Sequence, residues 1–248
     1  MSLILTDARA LDATAVRAAA MAAVALITDG MCIGLGSGRM ASAFIIQLGS
    51  RVHEGLRISA VATSSASAAL ATTVGIPIVD LGAHVTLDLV VDGADEVDLN
   101  LDLVKGRGGA LVRERIVAAS ARRQIILVDE SKLVRGLGEH GGIPVEVIPL
   151  ARWIVCDALV RAGITPSARS AGSGDGPFVT DNGNIIIDCA LAAPLADGAA
   201  ARSCERALLA ITGVVDTGLF LGTASEVLIG HPDGSVETRY REPGRVAT

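Results

Sequence analysis

Aromatic side chains are almost missing from this chain: 248 residues hold one Trp, one Tyr and three Phe. Proteins that hold single-stranded nucleic acid stack its bases on aromatic faces, and so few rings build no such platform. An excess of positive charge is missing too. The chain has 21 Lys and Arg against 27 Asp and Glu, a formal charge of −6, and shows no basic stripe for gripping phosphate backbones. No nucleic-acid partner is expected. A small anionic ligand is still allowed, because one pocket of an acidic protein can be cationic or lined with amides. Cysteine is confined to Cys32, Cys156, Cys189 and Cys204. No two have CxxC spacing and three lie in apolar runs, which reads as buried, reduced thiols rather than a disulfide or zinc framework. His53, His84, His140 and His231 are scattered without ligand spacing, so no metal is expected. No segment reads as a signal peptide or a membrane span. The apolar stretch Ala18–Ile27 is short, Ala-rich and ended by Thr28-Asp29-Gly30. A cytoplasmic protein without membrane contact follows as the expectation.

What the chain does have is apolar residues, 50% of the total, and 28 glycines. Gly-rich turns between short apolar runs predict α/β architecture. Residues from Ala8 to Ile27 read as a helix stopped by Asp29-Gly30. Met31–Leu35 reads as a strand, Met40–Leu48 as a helix, and Ile58–Ala62 as a strand leading to an Ala-rich helix. Leu87–Asp92 is another buried run, Gly108–Ala121 a helix and Gln124–Val128 a strand. This alternation predicts a Rossmann-like, doubly wound parallel sheet. After Gly142 the pattern changes. Val145–Ile148 precedes a helix over Ala151–Ala162, Ser170–Gly176 reads as a loop, and Asp181-Asn182-Gly183 signals a hairpin between Phe178–Thr180 and Asn184–Cys189. A helix over Ala199–Thr212 and a strand over Val214–Phe220 follow, then a hairpin of Glu226–Gly230 and Ser235–Tyr240. The expected organisation is a Rossmann-like domain, residues 1–142 plus 218–248, and a smaller α+β domain, residues 143–217.

Three segments carry chemistry. Gly34-Leu35-Gly36-Ser37-Gly38, between a strand and a helix, lets the backbone approach an anion at a helix start. Read literally, Gly36 to Ala41 fits a dinucleotide fingerprint, but the next strand ends in Ala62-Thr63-Ser64 with no acid for a ribose. The loop reads as a phosphate cradle, with a ligand-free tight turn as the alternative. Thr63-Ser64-Ser65-Ala66-Ser67 either caps a helix or binds an oxygen-rich ligand. The third segment, Asp92-Gly93-Ala94-Asp95-Glu96-Val97-Asp98, puts four carboxylates at the end of a buried strand. A solvated acidic turn or helix caps would also account for it, while calcium binding lacks the loop spacing of an EF-hand. Lys105-Gly106-Arg107-Gly108-Gly109 follows, then a helical stretch with Arg113-Glu114-Arg115. Glu114 near a helix start can complement the helix dipole.

Taken together, Asp92-Gly93-Ala94-Asp95-Glu96, Lys105-Gly106, Gly108-Gly109-Ala110-Leu111, Arg113-Glu114 and Asp129-Glu130-Ser131-Lys132 resemble the signature of A-type ribose-5-phosphate isomerases. The likeness runs through Pro144–Pro149, Val179–Asn184, Gly213-Val214-Val215, Gly218-Leu219-Phe220 and Ile229–Gly234, nearly the whole chain. It implies catalytic roles for Glu114 as the proton acceptor and for Asp92, Asp95 and Lys105. It implies substrate binding by Ser37, Gly38, Arg39, Met40, Thr63, Ser64, Gly93, Ala94, Gly106, Arg107, Gly108 and Lys132. A small sugar-phosphate substrate, the non-oxidative pentose phosphate pathway and a homo-oligomer, dimer or tetramer, are implied as well.

The chain departs from that pattern where Arg39-Met40 replace Ser-Thr and where Arg107 stands in place of Gly. An isomerase of another sugar phosphate or free aldose is therefore the alternative, with a non-catalytic sugar-phosphate-sensing domain as a further one. For aldose–ketose chemistry, the scattered histidines favour an enediolate path with one base over a metal-assisted hydride shift, and no cofactor is expected.

Overall fold

The computed structural model describes residues 14–82, 86–172 and 176–241. The first residues of the expected N-terminal helix, His84 and the middle of the Ser170–Gly176 loop lie outside them. In chain order the elements begin with α1 (Thr14–Val24), β1 (Cys32–Leu35), α2 (Gly38–His53), β2 (Ser59–Ala62) and α3 (Ser65–Thr73). There follow β3 (Leu89–Gly93), β4 (Glu96–Val97), β5 (Leu103–Val104), α4 (Leu111–Ala119) and β6 (Gln124–Asp129). The remainder is β7 (Ile143–Val147), α5 (Arg152–Arg161), β8 (Thr165–Ala168), β9 (Ile185–Ala190), α6 (Gly198–Leu209), β10 (Val214–Thr217), β11 (Leu219–Phe220), β12 (Glu226–Gly230) and β13 (Val236–Tyr240).

The described residues form two units. One holds those of Met1–Ala94, Arg113–Lys132 and Thr223–Arg241; the other holds Asp95–Val112 and those of Leu133–Gly222. The first is built on a six-stranded sheet in the order β13-β12-β6-β3-β1-β2. All neighbours are parallel except the β12–β13 hairpin. Side chains alternate across β3: Leu89 and Val91 enter the core under α1 and α2, while Val90 faces the other side with Val117 of α4. Helices thus cover both faces, and buried strands read as continuous apolar runs for that reason. Each fully buried Leu or Ile here contributes about 1.5–3 kcal/mol. Packing is closest where α1 crosses β12. A Cβ on Gly230 would lie 1.9 Å from the Ala15 carbonyl oxygen, so only glycine fits.

The second unit has an antiparallel sheet, β10-β7-β9-β8, and a three-stranded one, β11-β5-β4. Val155 and Leu159 of α5 and Ala201 and Leu208 of α6 pack on the larger sheet with Val145, Val147 and Ile187. The expected single strand Val214–Phe220 is broken. At Gly218 a Cβ would meet the Lys105 carbonyl oxygen at 2.2 Å, and the chain leaves one sheet there to enter the other. The expected Gly108–Ala121 helix starts later, at Leu111, because Gly106–Gly109 forms a turn closed by Gly109 N–H donating to the Gly106 carbonyl at 3.0 Å. All four cysteines are free thiols, but only Cys189 is buried. Burial, and secondarily the neighbouring Cys204, pushes its thiol up to about 12.

Candidate active site

In the parallel sheet of the first unit, the carboxyl ends of β1, β2, β3 and β6 share one edge. From β1 the chain crosses to β2 on one side, then returns to β3 on the other. The β1–β3 gap is the switch point at which ligands of such sheets bind. Gly36-Ser37-Gly38 leaves β1 there, and Asp92 sits at the end of β3.

Asp92 is buried and organises the loop beside it. Its Oδ1 accepts the Ser37 N–H at 3.0 Å and the Gly93 N–H at 2.8 Å. The contact demands a glycine next door: a Cβ on Gly36 would fall 2.1 Å from that same Oδ1. Gly38 opens α2 with φ of +84°, and the space around it is open, so conformation rather than packing selects glycine.

Ser37 stands at the N-cap position of α2 but its hydroxyl does not cap the helix. The hydroxyl instead hydrogen-bonds Thr63 Oγ1 at 2.8 Å and donates to Ser64 Oγ at 3.0 Å. Ser64 donates to Ser67 Oγ at 2.9 Å, and Ser67 donates to the Gly36 carbonyl at 2.6 Å, closing the circuit. Ser64 also caps α3, accepting the Ser67 N–H at 3.1 Å. The first turn of α2 therefore keeps N–H groups that its own cap does not occupy, the arrangement that receives an oxyanion. Ser67, the last hydroxyl of the Thr63-Ser64-Ser65-Ala66-Ser67 segment, belongs to this network.

Arg39 ion-pairs with Asp129 at the end of β6. Burial alone would raise the Asp129 carboxyl. The Ser131 hydrogen bonds and the charges of Arg39 and Lys132 outweigh it and hold the group below the ordinary carboxylate range. Met40 turns its side chain into the core, which leaves its backbone as the part able to meet a ligand. Lys132 closes a short 3-10 turn, Glu130–Lys132, and Glu130 of that turn contacts His231 Nδ1 at 2.6 Å. Glu114 lies in the first turn of α4 with 5% of its surface exposed.

In the second unit the remaining carboxylates have separate tasks. Asp95 Oδ2 accepts the Arg107 N–H at 3.0 Å. Glu96, fully buried, accepts the Gly138 N–H at 2.6 Å and the His140 N–H at 2.7 Å. Arg107 reaches back to the same strap, donating to the His140 carbonyl with its Nη2 4.0 Å from Glu96 Oε1. Asp98 organises a turn, accepting the Asn100 and Asp102 N–H groups at 2.8 Å each, and burial raises its carboxyl. Lys105 is buried, donates its N–H to the Gly218 carbonyl at 2.8 Å and holds its Nζ 5.5 Å from the centre of the Phe220 ring.

Of the residues singled out from the sequence, Ser37, Gly38, Arg39, Met40, Thr63, Ser64, Asp92, Gly93, Ala94, Glu114 and Lys132 belong to the first unit. Asp95, Lys105, Gly106, Arg107 and Gly108 belong to the second. Among the described residues no group of three or more His, Cys, Asp and Glu gathers as metal ligands. No described helix is long and apolar enough to cross a membrane.

Residues 59–234 match the family model of ribose 5-phosphate isomerase A (phosphoriboisomerase A). The ribose-5-phosphate isomerase A of Thermomicrobium roseum is 46% identical over 222 residues, covering 87% of this chain and 90% of the relative. The solved structure of ribose 5-phosphate isomerase A from Methanocaldococcus jannaschii superposes with a TM-score of 0.84 at 41% identity, covering 92% of this chain and 98% of that one. A D-ribose-5-phosphate isomerase solved in complex with phospho-erythronic acid gives a TM-score of 0.86 at 39% identity, with 91% and 97% covered.

Proposed function

The chain belongs to the ribose 5-phosphate isomerase A family, and on that premise we propose how it interconverts ribose 5-phosphate and ribulose 5-phosphate: through an enediolate, with Glu114 as the base. Glu114 takes the proton from C2 of the open-chain aldose, and the C1 carbonyl oxygen gains the charge. The same carboxyl then returns the proton to C1. The O2 proton passes to O1, and the carbonyl ends at C2. Lys105 stabilises the oxyanion as it forms, the kind of fixed charge that is most effective away from water. Asp92 and Asp95 hold substrate hydroxyls and assist ring opening. The phosphate is received by the start of α2 with Ser37, Thr63 and Ser64, and by Lys132. Gly93, Ala94, Gly106, Arg107 and Gly108 supply backbone contacts.

The observation that carries this reading is the set of α2 N–H groups left by a Ser37 hydroxyl committed elsewhere, beside the buried Asp92. The ligand of the 39%-identical relative supports it, since an aldonic acid presents two coplanar oxygens as an enediolate does. The deciding experiment is conversion of ribose 5-phosphate by EDTA-treated protein, with phospho-erythronic acid as competitor. Full activity with competitive inhibition is expected. Activity lost to the chelator and restored by a divalent ion rejects the metal-free path.

Arg39 bears on the alternative substrates. Its guanidinium is held by Asp129 but remains partly exposed, so it can add a charge-assisted bond to the phosphate. Arg39→Ala then raises KM for ribose 5-phosphate about ten- to a hundred-fold, the equivalent of about 1.5–3 kcal/mol, with little change for an unphosphorylated sugar. Unchanged KM values for both sugars reject the contact. Improved use of ribose 5-phosphate means that Arg39 obstructs it and that another sugar phosphate is the natural substrate.

The protein acts in the cytoplasm, in the non-oxidative pentose phosphate pathway, as a homo-oligomer. The last point is supported by exposed apolar side chains in the second unit: Leu150 is 95% exposed, and Trp153 and Ile154 are exposed with it. Such clusters on soluble proteins mark contact surfaces. A solution mass of twice or four times that of the chain is expected, and a monomer mass excludes it.

A further inference from the structure

Arg169 follows β8, and only 16% of its side chain is exposed. Asp188 of β9 holds it from behind: Nε donates to Oδ2 at 3.0 Å while Nη2 donates to Oδ1. That fork fixes a guanidinium in one plane. Its remaining nitrogen, Nη1, donates to two successive backbone carbonyls, Gly106 at 2.8 Å and Arg107 at 2.7 Å. Both belong to the turn that begins beside Lys105.

The Gly106–Arg107 peptide is trans, like the others among the described residues, so its C=O and N–H point in opposite directions. The C=O meets Arg169 and the N–H meets Asp95 Oδ2. One peptide dipole thus lies between a guanidinium and a carboxylate, and each hydrogen bond polarises the other. The next peptide is held at its carbonyl alone. The Arg107 carbonyl is taken by Arg169, so the Gly108 N–H is turned away from it. From the other side, a Cβ on Gly109 would meet Phe178 Cε1 at 2.2 Å, which closes the turn to sideways shifts.

We propose that Arg169 is a positioning residue for the isomerase reaction, fixing the Asp95 carboxylate and the backbone after Lys105 through the Gly106–Arg107 peptide. The proposal rests on the roles given above to Asp95 and Lys105. Nothing in the sequence around Arg169 marks it, because the carbonyls it bridges lie about sixty residues earlier in the chain.

The test is a double-mutant cycle of Arg169→Ala and Asp95→Asn, read as kcat and KM for ribose 5-phosphate, with thermal unfolding as the control. Arg169→Ala lowers kcat by about ten- to a hundred-fold, as for other residues that orient a reacting group. In the Asp95→Asn background it costs less than about threefold more, because the group it orients is already impaired. Added guanidinium ion, well below denaturing concentrations, restores part of the Arg169→Ala loss. Arg169→Lys restores little, since one ammonium cannot both fork Asp188 and bridge two carbonyls. Near-normal turnover of Asp95→Asn alone overturns the role of Asp95 and not the geometry. An impaired Asp95→Asn together with a fully active Arg169→Ala, or with losses that multiply in the double variant, overturns the positioning role. If Arg169→Ala folds poorly, Asp188→Asn, which loosens the anchor and leaves the arginine in place, carries the same cycle.

Discussion

Glu114→Gln folds normally and turns over ribose 5-phosphate about a hundred- to ten-thousand-fold more slowly than the parent, the range that general-base catalysis contributes. Glutamine matches glutamate in size and keeps one carbonyl acceptor, so the buried first turn of α4 retains its packing. The variant loses a negative charge at a helix start, which costs about 0.3–1 kcal/mol. A small drop in melting temperature should therefore accompany a large drop in rate. The diagnostic readout is exchange of the substrate C2 proton with deuterated solvent. A shuttle base washes it out during turnover, and the glutamine variant loses exchange and isomerisation together. Near-normal turnover excludes Glu114 as the base.

Lys105→Met is expected to remove most of the turnover. Lys105 is 3% exposed, with its Nζ near the Phe220 face. The main-chain bond to Gly218 is untouched by the substitution. Its kcat should fall by about a hundred- to a thousand-fold, the loss typical of removing one preorganised stabiliser of an oxyanion, with thermal unfolding as the check that the variant folds. A variant that is less stable yet fully active would make Lys105 a structural cation and leave the oxyanion to other donors.

The parallel sheet and the terminal hairpin were legible because their signals are local. Leu89, Val90 and Val91 form an uninterrupted apolar run since both faces of β3 are covered, and Pro232-Asp233-Gly234 punctuates β12 and β13 at the turn itself. Strand β8 was not legible. Thr165-Pro166-Ser167-Ala168 has little apolar content, and proline is tolerated because β8 lies at the edge of the sheet, paired with β9 among the described residues. The break at Gly218 depends on a carbonyl more than a hundred residues earlier. The same limit applies to the carboxylates. Their density was visible in the sequence, but the division of tasks was not. Glu96 serves a strap around Gly138 and His140, whereas Asp98 serves its own turn. Only the partners distinguish the two, and for Glu96 they are remote.

The contact between Gly36 and Asp92 divides the β1–α2 loop into positions that can vary and one that cannot. Any side chain at residue 36 would reach the carboxylate, and the Asp92 backbone at 2.6 Å, before it reached a ligand. Selection for a new sugar can make no use of that position, and a saturation library there would return loss-of-function clones whatever substrate was offered. Three residues on, Arg39 is partly exposed and ion-paired with Asp129, a carboxylate that Ser131 also holds in place. A library at residue 39 can therefore change charge and reach while leaving Asp92 undisturbed. The loop confines its evolvable diversity to the start of the helix and keeps the buried carboxylate out of reach of drift.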